Sequence, residues 1–169
     1  MINSERLLQN QIKSFIMESV DKEIVIFNDN LDKFINFYKS EEYSSAEECL
    51  LEMRFSALNL FKAISLFTYD LFDSCLYSTD NGTISEYKNK VLERIVDGCI
   101  NSIKNNLDIL NEPFRPDYYY LSKNRIEERQ QEPIMENLLF YSSCIFTFIS
   151  ESKSLCEKHI MTNKENKYE

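Results

Sequence analysis

Two glycines and three prolines in 169 residues constrain this chain more than anything else in it. Average usage would supply roughly a dozen glycines and about eight prolines. A sheet protein turns often, and tight turns draw on those two residues for backbone angles that others adopt at a cost. A chain this poor in both has few corners to turn. Few corners over this length mean long helices.

The apolar spacing agrees. Leu8, Ile12, Phe15 and Ile16 share one helical face, with Ser4 as an N-cap. Ile24, Phe27, Leu31, Phe34, Ile35 and Tyr38 form a second such face. The local run Glu23–Phe27 is β-prone, but the longer period overrules it. A third helix is expected from Ser44 or Ser45, since Ser44 with Glu47 and Ser45 with Glu48 both match a capping box. From Leu50 to Tyr77 it is apolar around most of its circumference, which predicts a central helix covered by its neighbours. Asn81-Gly82 ends it in a turn. Thr83 and Glu86 cap a fourth helix, with a stripe of Val91, Leu92, Ile95, Val96, Cys99, Ile100, Ile103, Leu107 and Leu110. It stops before Pro113. A short helix and then a last one opened by Pro133 complete the series, the last with Ile134, Leu138, Tyr141, Ile145, Phe148, Ile149 and Leu155 facing inward.

These patterns predict an all-α fold, a bundle of about five to six helices around a hydrophobic central helix. Residues 1–161 read as a single domain and 162–169 as a polar tail that frays. Twelve Phe and ten Tyr give ample material for a core. The first ten residues carry no apolar targeting segment, and no run reaches the length of a membrane span. The five cysteines are widely spaced and fit reduced thiols packed as small hydrophobes. A cytoplasmic location is the expectation.

Chemistry is harder to find. One histidine, His159, excludes a two-His zinc motif and a di-iron bundle site. Its place near the end of the last helix suits the negative end of the helix dipole. The residues before it, Ser154 to Lys158, lack the arginine that small helical toxin RNases carry there. Two glycines cannot build a phosphate-binding loop. Carboxylates remain. Glu48 and Glu52 lie one turn apart, and Asp70 and Asp73 follow about five turns later. Such pairs suit Mg²⁺, and helical nucleotide pyrophosphohydrolases use comparable ones on separate helices. Here the spacing differs, and a straight helix would hold the two pairs roughly 27 Å apart. A Mg²⁺-dependent phosphohydrolase on Glu48, Glu52, Asp70 and Asp73 is therefore the alternative expectation.

The net charge of −9 is unevenly spread: residues 41–83 hold eight acids against two bases. That works against nucleic-acid binding, which rests on Lys and Arg, and favours a basic partner by steering. Tyr118, Tyr119 and Tyr120 are consecutive, so they cannot all face one core, and Arg125 lies close by. Tyr and Arg are frequent binding anchors. The main expectation is a non-enzymatic protein-binding module that occludes a basic surface, in the manner of an immunity protein, an antitoxin or a phage-encoded inhibitor. Glu41, Glu42, Glu47 and Glu48 would supply charge, and Tyr118, Tyr119, Tyr120 and Arg125 anchorage. No cofactor, nucleic acid or membrane is expected; a homo-oligomeric structural subunit is the further alternative.

Overall fold

The computed structural model describes residues 2–65, 89–107 and 134–167 of the chain. They form four helices, and no strand occurs among them. The all-α class holds, with four helices among the described residues where five to six were expected of the chain. α1 spans Ile2–Lys39 and α2 spans Tyr43–Ser65. α3 covers 89–105, with a π-helical stretch at Val96–Ile100, and α4 spans Ile134–Asn166.

One of the expected boundaries is absent, and for a local reason. The two apolar faces expected as separate helices before residue 40 are one helix, α1. Between Ile16 and Ile24 there is no Gly or Pro to stop it. The β-prone run Glu23–Phe27 is helical within it. Its buried residues Ile16, Val20, Phe27, Leu31, Phe34 and Ile35, with half-buried Ile24 and Tyr38, recur every three or four positions, as a long bundle helix requires. The short helix expected between Pro113 and Pro133 lies outside the described residues.

α1 ends in a tight Schellman-type turn. Glu41 N–H donates to the Tyr38 carbonyl at 3.2 Å and Glu42 N–H to the Phe37 carbonyl at 2.8 Å. Glu41 sits at the left-handed position, with φ 62, where glycine is the usual occupant. The Glu42 carbonyl then accepts from Ala46 N–H at 3.0 Å, so α2 starts at once. Ser44 and Ser45 therefore lie inside the first turn of α2 and not at its cap. Neither expected capping box organises the start.

α2 turns back along α1, packs on α4 as well, and buries Ala46, Cys49, Leu50, Met53, Ala57, Leu60, Phe61 and Ile64. It is not encased, as a central helix would be: Leu51, Phe55 and Leu58 are exposed on its outer side. α3 closes the ring by touching both α1 and α4. The four helices thus pack around a shared core, across which Phe34 of α1 meets Phe148 of α4, and the apolar excess of α2 is divided between that core and the surface. The part of the expected helix beyond Ser65 lies outside the described residues.

The stripe expected on α3 is buried from Val91 to Ile103, with Leu107 half-buried. Its inward residues recur every four positions, as in Val91, Ile95, Cys99 and Ile103. An α-helix repeats every 3.6, so such a stripe would drift around it. The wider π turn takes up the slack and keeps the stripe facing inward. Gly98, in the same stretch, lets α3 approach Ile24 of α1. The exposed pair Arg94–Asp21, at 2.8 Å, crosses the same interface and contributes at most about 1 kcal/mol. On α4, Leu138, Tyr141, Ile145, Phe148 and Ile149 face inward as expected.

The four cysteines among the described residues, Cys49, Cys99, Cys144 and Cys156, are all buried. No helix there is long and apolar enough to cross a membrane.

Candidate functional site

The acidic residues singled out in the sequence gather at one end of the bundle. Glu41 and Glu42 stand exposed on the α1–α2 turn, and Glu47, half-buried, and Glu48, exposed, follow on the first two turns of α2. They come together because the turn takes only three residues and α2 begins directly after it. α4 passes alongside with Ser150, Lys153 and Glu157 on the facing side.

Between these two helices runs an open cleft of about 830 Å³. Ser44, Glu47, Glu48, Leu51 and Arg54 line one wall; Phe146, Ser150, Lys153 and Glu157 line the other. A smaller cleft of about 360 Å³ continues over the turn, between Glu41 and Glu42 and the bases Lys164 and Lys167. The site is therefore of mixed charge, although the segment supplying Glu41–Glu48 is acidic.

Glu47 has an unusual environment. Burial pushes its carboxyl above the ordinary value, and the charge of Glu157 and a hydrogen bond to it push the same way, against the opposing effect of Lys153. Two carboxyl groups can share a hydrogen bond only if one keeps its proton. Lys153 reaches Glu157 at 3.8 Å, a loose ion pair on one helix face.

Beneath the turn, Tyr38, Tyr43 and His159 form a compact aromatic group. The Tyr43 and His159 rings stack at 4.5 Å with 9° between planes, and the Tyr38 hydroxyl lies 3.3 Å from His159 Nε2. Burial first, and then the charges of Glu41 and Cys156, raise the Tyr43 hydroxyl. His159 is not at the helix terminus, since α4 continues to Asn166. It fastens α4 to the α1–α2 turn. Burial, with the nearby carboxylates of Glu47 and Glu157, pushes the Cys156 thiol up to about 12, which leaves it protonated and unreactive.

Tyr118, Tyr119, Tyr120 and Arg125 lie outside the described residues, as do Asp70 and Asp73. Glu48 and Glu52 stand exposed, one turn apart on α2. Among the described residues no group of three or more His, Cys, Asp or Glu is placed to hold a metal ion. Glu157, Lys153 and Phe146 were not singled out in the sequence. Their spacing does put them on one face of α4, but only packing shows that α2 stands opposite. The chain matches no family model, no curated protein and no solved structure.

Proposed function

We propose that this chain is a non-enzymatic protein-binding module that uses the α1–α2 turn and the start of α2 to engage a basic surface of another protein. Occluding such a surface is the work of an immunity protein, an antitoxin or a phage-encoded inhibitor. The observation that carries this reading is the placement of Glu41, Glu42, Glu47 and Glu48 along one edge, at the rim of an open cleft. Glu41 adds weight. It holds a left-handed backbone at a cost of roughly 1–2 kcal/mol, which glycine would avoid, so its carboxylate sits where stability alone would not put it. Electrostatic steering by such an edge accelerates capture of a basic partner. Tyr118, Tyr119, Tyr120 and Arg125 are proposed as further anchors.

The test is affinity capture from the source cells with the natural protein and with a variant carrying Glu41→Lys, Glu42→Lys, Glu47→Lys and Glu48→Lys. The expected result is one protein with a basic surface, retained by the natural chain, lost from the variant and lost as salt rises. Capture of the same proteins by both chains overturns the reading.

A further inference from the structure

α2 carries an outer row of side chains that belongs to neither of its packed sides. Glu48, Leu51, Phe55, Leu58 and Lys62 follow one another at steps of three and four residues, the spacing of a coiled-coil seam. All five are exposed, the three apolar ones at 52%, 53% and 47%. The row runs about 21 Å along the helix. On one flank Asn59 donates to Glu23 of α1 at 3.2 Å; on the other Glu47 and Arg54 line the α4 cleft. Among the described residues no other helix exposes three large apolar side chains at successive steps of this kind. A lone exposed Leu is ordinary, but a continuous apolar row marks a surface of contact.

The charges along α2 select what makes that contact. From Glu47 to Glu52 every charged residue is an acid; from Arg54 to Lys62 every one is a base. Within the row itself, Glu48 stands seven residues before Phe55 and Lys62 seven after, with Leu51 and Leu58 between. A helix with an acidic half and a basic half complements itself when a second copy lies antiparallel to it. A two-fold axis through Phe55 sets Glu48 of each copy against Lys62 of the other and closes the apolar centre on itself. Parallel copies would set Glu48 on Glu48 and Lys62 on Lys62. A partner of uniform charge would meet one favourable end and one unfavourable end.

We propose that this protein forms a two-fold homodimer by antiparallel packing of α2 on α2, with Phe55 at the axis, Leu51 beside Leu58 of the second copy, and Glu48 paired with Lys62 at both ends. The inference does not rest on the protein-binding reading above, and the two surfaces share only Glu48. One helical row is narrow beside a standard interface of about 800 Å² per partner, so the dimer is expected to be weak and to form reversibly with concentration.

The test is sedimentation equilibrium of the full chain at low salt, from about 1 µM to about 1 mM, with thermal unfolding to show that each variant is folded. The natural protein should pass from the mass of one chain to that of two. Phe55→Gln should weaken association at least about tenfold. Glu48→Lys and Lys62→Glu should each weaken it too, since each sets like charges opposite one another at both ends. Combined in one chain they should restore it, and the two single variants, mixed, should associate with each other in preference to themselves. The mass of one chain at every concentration overturns the proposal, as does association that is indifferent to Phe55→Gln or is not restored by the charge exchange. The mass of one chain together with another protein captured by the natural chain and lost from Phe55→Gln assigns the row to that protein, and equally overturns the dimer.

Discussion

Replacing Gly98 with alanine separates two levels of physical reasoning. Within a helix, alanine is favoured over glycine by about 1 kcal/mol, so propensity alone predicts a gain. The tertiary structure predicts the reverse. A Cβ at Gly98 would lie 2.6 Å from Ile24 Cγ2, with Cδ1 at 3.3 Å and Cγ1 at 3.5 Å. Cγ2 hangs directly on the β-branched carbon and cannot swing aside without turning χ1, which a helix holds in one rotamer. Overpacking of this kind costs about 1–3 kcal/mol. Set against the propensity gain, Gly98→Ala should destabilise by up to about 2 kcal/mol, a fall in Tm of up to roughly 4–8 °C at this chain length. Urea denaturation of a double-mutant cycle with Ile24→Ala makes the test sharp. In the Ile24→Ala background the obstructing atoms are gone, so Gly98→Ala should stabilise by about 1 kcal/mol. The same effect of Gly98→Ala in both backgrounds would refute the close approach of α1 and α3.

Two further expectations concern ionisable groups. Glu47 has a raised carboxyl pKa in the folded state, so above the ordinary value of 4.5 the folded chain holds a proton that the unfolded chain has released, and stability falls as pH rises until the raised value is passed. Glu47→Gln should therefore match the natural protein below about pH 4 and exceed it in thermal stability near neutral pH; an unchanged difference across that range refutes the carboxyl pairing. Burial pushes the thiols of Cys99 and Cys156 up to about 12. Iodoacetamide near pH 8 should leave both unmodified in the folded protein and label them in denaturant, as read by peptide mass spectrometry; rapid labelling of the folded protein contradicts their burial.

What the sequence determined by itself is the class of fold and the inward faces of α3, of α4 and of α1 beyond Ile16; Phe15, placed on the same face as Ile16, is exposed. Scarce Gly and Pro forbid frequent turning, and a one-sided stripe of apolar residues every three or four positions marks the buried side of these helices. Phe27, Leu31, Phe34, Ile95, Ile103, Tyr141 and Ile145 are legible on those grounds alone. Where one helix ends is less so. The merger of two patterns into α1 needed the recognition that nothing between Ile16 and Ile24 breaks a helix. The start of α2 was obscured because Ser44 and Ser45 imitate caps that the turn at Glu41 and Glu42 makes redundant.

The tertiary structure alone decided which faces meet. The gathering of Glu41, Glu42, Glu47 and Glu48 was readable, since they are neighbours in sequence; the opposition of Glu47 and Glu157 was not, since about a hundred residues separate them. Nor could periodicity show that Leu51, Phe55 and Leu58 remain open, because an apolar side chain looks the same in sequence whether it is covered or not. A helix carries its own hydrogen bonds and so declares itself locally. A cleft exists only between helices, and its residues become neighbours only when the core brings their helices side by side.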